Sequence, residues 1–163
     1  MTNPFFSASD LPFQLPPFAE IAEEHYRPAF DKGFTEQLAE VERIAADPEP
    51  ATFENTILPL ERSGRILSRV AAVFYNKSSS DSSDFTNELE EEIAPLYAAH
   101  SDAIRLNADL YRRIAQVHAG LDDSGLDAES RYLVERYFAE FTIAGAGLSD
   151  DEKWALIEFL KTF

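Results

Sequence analysis

The chain has 163 residues, of which 45% are hydrophobic and 27% charged; this composition predicts a folded chain of ordinary domain size and excludes a collagenous or wholly disordered one. Its 14 basic and 30 acidic residues leave a net charge of −16, which argues against nucleic acid and anionic membrane surfaces as partners. The absence of cysteine excludes disulfides, thiolate metal sites and cysteine nucleophiles.

The sequence carries neither a membrane-span pattern nor a secretory signal pattern. No apolar run approaches the ~20 residues that a membrane-spanning helix requires, and residues 1–4 lack the basic flank of a signal peptide. We therefore expect a cytoplasmic protein.

Residues 1–22 predict an extended arm rather than a helix. Prolines are frequent in this segment and alternate with apolar side chains. Proline has no backbone N–H to donate, so this density of proline disfavours a helix. We expect the arm to pack onto a helical domain formed by residues 23–163.

Apolar residues spaced three and four apart predict two helices after the arm. The first runs from about Glu23 to Ala46 and is ended by the proline-rich residues 47–50. The second opens at Thr52 as its N-cap and continues through Phe74.

Pro59 lies inside the second predicted helix, where it should remove a backbone hydrogen bond and introduce a kink. The polar residues 76–83 after this helix are predicted to form a loop.

The second half of the chain predicts four more helices. The third helix contains Pro95 and an apolar stripe formed by Leu89, Ile93, Leu96, His100 and Ala103. The last three helices begin at the polar N-caps Asn107, Asp127 and Ser149. Glu152 stands at capping-box spacing from Ser149, and Gly145 and Gly147 can end the preceding helix. The residues of that helix expected to face inward are Leu133, Val134, Tyr137, Phe138 and Phe141.

No alternating strand pattern of useful length occurs. The fold class is therefore predicted as all-α, an antiparallel bundle of five to six helices with the extended Pro-rich N-terminal arm.

The last predicted helix is unusual because its apolar residues span too much of its circumference for one neighbour to cover. It also reaches Phe163 without a C-cap glycine, as if a longer helix were interrupted. If a covering part is missing, some apolar residues must be exposed or buried by self-association, and we expect these to be Phe5, Phe6, Phe13, Trp154, Phe159 and Phe163. Because the net charge repels like chains, self-association should strengthen with salt.

Residues that could carry chemistry do not form a recognisable site. His25, His100 and His118 lack the spacing of zinc ligands; a core position is favoured for His100 and a structural role for His25 and His118. The consecutive Glu90, Glu91 and Glu92 fan out over different helix faces and indicate a solvated surface.

Three further patterns also receive structural readings. Asp81, Asp84 and Glu88 lack the spacing of a calcium loop, and residues 145–147 lack the strand that a dinucleotide-binding turn follows. The serines within residues 78–83 lack the context of a nucleophile elbow. We therefore predict no catalytic, cofactor-binding or metal-binding residue in this chain.

Four ordered segments nevertheless resemble the N-terminal helical region of the thimet oligopeptidase and oligopeptidase A family of zinc metallopeptidases, and its peptidyl-dipeptidase branch in particular. The first comprises Pro17, Phe18, Ile21 and residues 25–30, and the second comprises residues 53–57 and 60–64. The third comprises Ala94, Pro95, His100, Ile104, Leu106, Asn107, Leu110 and Tyr111. The fourth comprises residues 125–127, Glu129, Ser130, Phe141 and residues 144–148.

The resemblance implies a longer, mostly helical parent enzyme in which two helical parts enclose a channel. It places zinc on a His-Glu-x-x-His motif in the C-terminal part, and that motif is absent here. The chain would supply channel wall and limit substrate size, while the parent would release C-terminal dipeptides from short peptides. The partners implied are the missing catalytic part and, in the parent, peptide substrates.

A free-standing acidic α-helical interaction module is the alternative function, and an independent hydrolase is a poorer third. A reading frame that continues past Phe163 into His-Glu-x-x-His would favour the peptidase region. A natural stop codon at that point would favour the module.

Overall fold

The computed structural model describes residues 3–162, without the side chain of Asp150, and within this range every regular element is helical. The predicted all-α class is therefore confirmed. The α-helices are α1 (Tyr26–Ala45), α2 (Leu58–Glu61), α3 (Arg65–Ser80), α4 (Asp84–Arg105), α5 (Ala108–Ala119), α6 (Ala128–Ala144) and α7 (Asp150–Leu160). The antiparallel bundle arrangement stays a prediction.

The chain divides into two compact units. The first unit comprises Met1–Glu40 and Arg62–Ser101, and the second comprises Val41–Glu61 and Asp102–Phe163. The predicted division into an arm of residues 1–22 and a helical domain of residues 23–163 stays a prediction.

The N-terminal residues of the first unit form short 3₁₀ turns: Pro4–Phe6, Pro12–Gln14, Phe18–Glu20 and Glu23–His25. Phe5 is buried, with its ring centroid 5.4 Å from that of Tyr26, so the expectation that Phe5 is exposed is wrong. Contact between the two rings stabilises the folded chain when both are removed from water, which explains why Phe5 is buried. Phe6 is half-buried, whereas Phe13 is 98% exposed.

The core of the first unit is aromatic and depends on a close helix approach. The ring centroid of Phe74 lies 5.4 Å from that of Phe30 and 5.5 Å from that of Tyr26, both edge-on. A Cβ atom at Gly33 would lie 2.9 Å from the main chain of Leu67, so α1 can approach α3 this closely only with glycine at that position.

The prediction of one kinked helix from Thr52 through Phe74 is wrong. Thr52 caps a helical segment as predicted, and that segment is a π turn, Phe53–Ile57. The short α2 follows it, and helical structure stops before Gly64. Gly64 has a φ of +69°, a left-handed conformation that interrupts the helix. Pro59 lies within the short α2 instead of bending a continuous helix.

The predicted loop at residues 76–83 is also shorter than expected, because α3 continues to Ser80. The hydroxyl of Ser80 donates to the main-chain oxygen of Asn76 at 2.7 Å, and that of Ser78 donates to the Glu90 carboxylate at 2.6 Å. The bond of Ser78 to Glu90 offsets the low helix propensity of serine, whereas the bond of Ser80 only satisfies its own hydroxyl in the last turn of α3.

Pro95 lies inside α4, as predicted, and the helix buries Leu89, Ile93 and His100. Leu96 and Ala103 are exposed, so the predicted stripe is too wide.

The second unit has its core on α5 and α6, where Leu110, Ile114 and Val134 are fully buried. The predicted caps are confirmed. Asn107 accepts from the Leu110 N–H at 2.9 Å, Asp127 accepts from the Ser130 N–H at 2.8 Å, and Ser149 forms a capping box with Glu152. The left-handed Gly145, with a φ of +88°, ends α6 as predicted. Of the predicted inward residues of α6, Val134 and Phe141 are buried, and Leu133, Tyr137 and Phe138 are half-buried.

Candidate functional site

Two of the three histidines make local structural contacts. The Nδ1 atom of His25 accepts a hydrogen bond from the Ala22 N–H at 3.0 Å, which closes the turn before α1. The ring of His118 stacks on that of Phe138 at a centroid distance of 4.0 Å. Both roles agree with the structural reading of these residues.

His100 belongs to a buried polar network in the first unit. Its Nε2 atom lies 2.7 Å from the Oε1 atom of Gln37, so Nε2 carries the proton because an amide oxygen only accepts. The Nδ1 atom is buried and has no hydrogen-bond partner among the described residues. Burial lowers the pKa of His100, which keeps the ring neutral.

The same network holds the interruption between α2 and α3. Gln37 donates through Nε2 to the Ser63 hydroxyl at 3.2 Å, and the Glu40 carboxylate accepts from the Gly64 N–H at 2.8 Å. A Cβ atom at Gly64 would lie 2.4 Å from the Cδ atom of Gln37. Ser63 and Gly64, which belong to a segment that carries the family resemblance, therefore serve packing and backbone geometry.

The glutamate run on α4 does not converge on one point. Glu90 accepts from Ser78, Glu92 pairs with Arg27, and Glu88 and Glu91 are exposed. In the same unit Asp81 pairs with Lys77 at 3.1 Å.

Residues 3–162 bring together no group of three or more His, Asp or Glu side chains that could hold a metal ion. The zinc implied by the family resemblance therefore has no fitting ligand set among these residues, and we assign no reaction step to them. The prediction that this chain contains no catalytic, cofactor-binding or metal-binding residue stays a prediction.

Arg113 of the second unit is a buried cation that sequence patterns did not reveal. Its Nη1 atom donates to the main-chain oxygens of Asp47 and Glu49 at 2.7 and 2.9 Å. Its Nη2 atom donates to Asn55 at 3.0 Å and to the Thr56 hydroxyl at 3.2 Å. The guanidinium thus ties α5 to the segment before α2.

The side chain of Asn55 makes several of the hydrogen bonds that hold the Phe53–Ile57 segment in place. Its side-chain oxygen accepts from the Thr52 N–H at 2.8 Å and from the Thr56 hydroxyl at 2.9 Å, besides accepting from Arg113. Its amide nitrogen donates to the main-chain oxygen of Pro50 at 3.0 Å. The side chain of Asn55 therefore accepts through its oxygen and donates through its nitrogen at the same time.

Glu61 lies at a second polar junction of the same unit. The Tyr137 hydroxyl donates to the Glu61 carboxylate at 2.5 Å, and Arg136 donates to the same oxygen at 3.2 Å. Burial and the adjacent carboxylate raise the pKa of Tyr137. Tyr137 therefore acts as a hydrogen-bond donor and holds its proton.

Five exposed apolar side chains of the second unit lie on α7. This surface, called the α7 face here, consists of Trp154, Leu156, Ile157, Phe159 and Leu160, which are 41–62% exposed. The expected exposure of Trp154 and Phe159 is confirmed, and Phe163 lies outside the described residues. In residues 3–162 no helix combines the length and hydrophobicity needed to cross a membrane.

Comparison with known proteins found relatives that match nearly the whole chain. The chain is 40% identical over 160 residues to dipeptidyl carboxypeptidase of Escherichia coli (strain K12), which covers 98% of this chain and 23% of that protein. It is also 40% identical to dipeptidyl carboxypeptidase of Salmonella typhimurium, over 99% of this chain and 24% of the relative. Identity to oligopeptidase A of E. coli is 29%, over 94% of this chain and 22% of the relative.

No family model matches the chain. The chain spans about a quarter of the length of the curated relatives that it matches. Its similarity to both kinds of peptidase agrees with the resemblance in the four sequence segments. The chain therefore corresponds to an N-terminal region of the dipeptidyl carboxypeptidase and oligopeptidase A family.

Proposed function

We propose that this chain is the non-catalytic, N-terminal helical region of a cytoplasmic, zinc-dependent peptidyl-dipeptidase or oligopeptidase. The observation that carries the proposal is the 40% identity to E. coli dipeptidyl carboxypeptidase over 98% of the chain. In this proposal the zinc and the catalytic residues lie in the remainder of the parent protein, because this chain lacks a His-Glu-x-x-His motif and its match covers 23% of that relative. The parent hydrolyses short peptides and releases C-terminal dipeptides.

Within the parent, the chain supplies channel wall and limits the size of the substrate. A wall that selects by size has to keep its shape, which requires rigid backbone. The hydrogen bonds of Arg113 and Asn55 in the second unit, and those of Gln37 and Glu40 in the first, supply such rigidity.

The α7 face is the surface of this chain that contacts the catalytic part of the parent. Its apolar residues point in too many directions for one neighbouring helix to cover, and they are exposed here. Contact with a second surface would remove this apolar area from water.

A chimeric enzyme tests the proposal. In E. coli dipeptidyl carboxypeptidase, the region that aligns with this chain is replaced by the chain itself, and a series of peptides of increasing length is digested. Mass spectrometry should detect metal-dependent release of C-terminal dipeptides, with a limit on peptide length. A folded, zinc-loaded chimera that releases no dipeptide would contradict the proposal.

A matched variant of the chimera tests the role of α7. Trp154→Gln with Leu160→Gln should lower the activity or stability of the chimera, because both side chains are 60% or more exposed in this chain alone. Arg112→Gln, on an exposed part of α5, serves as the control and should leave both unchanged.

The α7 face is also what favours the second candidate, an acidic interaction module. A module would use this face to bind partner helices or a second copy of the chain. An inactive chimera, together with strong self-association of the isolated chain, would favour this candidate.

A further inference from the structure

A cavity of about 290 Å³ lies in the first unit between the N-terminal turns and α3. Its apolar wall includes Pro4, Pro16, Pro17 and Val73, and its polar lining includes Arg69 and Gln14. Ligand sites in proteins have volumes of ~300–1,000 Å³, so this cavity fits a small ligand.

Hydrogen bonds hold the Arg69 side chain at the cavity, but no carboxylate among residues 3–162 pairs with it. Its Nε and Nη2 atoms donate to the main-chain oxygen of Phe5 at 3.1 and 3.0 Å, which leaves Nη1 for another acceptor. Arg69 forms no ion pair with any of residues 3–162, although the chain has 30 acidic and 14 basic residues. The nearby Glu36 pairs with Lys32 instead.

Arg65 adds a second positive charge one helical turn earlier on α3. Like charges at this spacing repel, and cations in the first turn of a helix are disfavoured by the helix dipole. Arg65 also forms no ion pair within the described part of the chain. Burial of Arg69 and the charge of Arg65 both lower the pKa of Arg69, and an anion bound at Arg69 would oppose this shift.

Another cavity in the same unit shows the contrast. It measures about 380 Å³ and is lined by Tyr26 and Lys77 among others. Its cation is already neutralised, because Lys77 pairs with Asp81 at 3.1 Å. The Arg69 cavity thus combines an apolar wall with a cation that has no carboxylate partner.

The backbone holds Gln14 at this cavity in an uncommon conformation. Phe13 and Gln14 have φ values of +59° and +56°, in the left-handed region that residues other than glycine rarely adopt. The amide of Gln14 can donate to an oxygen of a bound ligand.

We propose that this cavity binds a small amphipathic carboxylate, with its apolar group against the prolines and Val73 and its carboxylate at Arg69. The C-terminal residue of a peptide and a short fatty acid share this chemistry. A guanidinium and a carboxylate form charge-assisted hydrogen bonds, which are stronger than those to a neutral amide. The site is independent of the function proposed above.

The test uses three probes with the purified chain. N-acetyl-L-leucine represents the C-terminal residue of a peptide, and hexanoate represents a short fatty acid. N-acetyl-L-leucinamide has the same side chain as N-acetyl-L-leucine but no charged carboxylate. In ¹H–¹⁵N NMR titrations, at least one acid should cause saturable shifts in the amides of Gln14, Arg69 and Val73. The leucinamide should bind at least tenfold more weakly, since it lacks the charge.

Two variants separate binding from folding. Arg69→Gln should weaken acid binding at least tenfold, but it can also loosen the N-terminal turns because it removes donors to Phe5. Ala72→Leu keeps Arg69 and fills the cavity that Ala72 lines, so it should weaken binding without changing the thermal midpoint. Arg112→Gln makes the same charge change in the second unit and should bind as the parent chain does.

The proposal is supported if one or both acids cause saturable shifts and bind at least tenfold more tightly than the leucinamide. The acid that does so identifies whether the ligand resembles a peptide C-terminus or a fatty acid. Equal binding of the leucinamide, unsaturable shifts, or unchanged binding in the Ala72→Leu variant would overturn it.

Discussion

The Nη2 atom of Arg113 on α5 lies 3.0 Å from the side-chain oxygen of Asn55, at a separation of 58 residues along the chain. Arg113 is 6% exposed, and Thr56, which it also contacts, is fully buried. The segment before α2 therefore receives hydrogen bonds from a cation on a distant helix, in addition to its own local hydrogen bonds.

Arg113→Met should lower the free energy of unfolding by about 3 kcal/mol, because it removes a buried guanidinium that donates to Asp47, Glu49, Asn55 and the buried Thr56 hydroxyl. Arg112→Met is the matched control. The Arg112 side chain is 64% exposed, so its removal should cost less than about 1 kcal/mol. Urea unfolding followed by circular dichroism measures both, and similar losses in the two variants would show that Arg113 has no special role.

The stability of the chain should fall as the pH is lowered through 6.5, in part because of His100. Burial lowers the pKa of this histidine in the folded chain, so the unfolded chain binds more protons at this position below pH 6.5. The free energy of unfolding therefore decreases as the pH falls from about 7.5 to about 5.5.

A His100→Leu variant should have a shallower pH dependence over this range, whatever its stability at neutral pH. His118→Phe, which keeps an aromatic ring against Phe138, is the control and should retain the original slope. Identical slopes in all three proteins would rule out His100 as the group responsible.

Gly64→Ala should be more destabilising than Gly125→Ala. Both glycines have left-handed backbone, with φ values of +69° and +67°, so each substitution introduces about 1 kcal/mol of strain. A Cβ atom at Gly64 would also collide with Gln37, whereas nothing lies within 4 Å of one at Gly125. The collision should add about 1–3 kcal/mol, measurable as a difference in chemical denaturation. Equal effects would mean that Gln37 moves aside freely.

Trp154 is the only tryptophan of the chain and reports on the α7 face directly. At 62% exposure, it should be quenched efficiently by acrylamide in dilute solution. At higher protein concentration and higher salt, we expect self-association, because salt screens the repulsion between chains of −16 charge. Quenching should then decrease.

Sedimentation of a Trp154→Gln, Phe159→Gln variant checks the same prediction. The variant should be less associated than the parent chain at high salt. A parent chain that is strictly monomeric at every salt concentration would show that the α7 face does not drive self-association.

The all-α fold class and the capping residues could be predicted from the sequence because both depend on residues that are close together in the chain. Asn107, Asp127 and Ser149 each bond to an N–H three residues later, so spacing alone identifies them. The left-handed Gly145 followed from the same kind of local reasoning.

The errors arose where long-range contacts outweigh local preference. Gly64 lies on the apolar stripe that predicted a continuous helix, but its N–H bonds to Glu40, 24 residues away, and the helix is interrupted. Ser78 looked like part of a loop, and its bond to Glu90 on α4 keeps it helical. The polar contacts of Arg113 and Arg69 span more than 50 residues and leave no periodic signal.

The most direct measurement of the central claim is peptidase activity of the isolated chain, assayed beside the chimera with the same peptides and zinc concentration. The account predicts release of C-terminal dipeptides by the chimera and none by the chain alone. Metal-dependent release by the isolated chain, abolished by a substitution within residues 3–162, would contradict it.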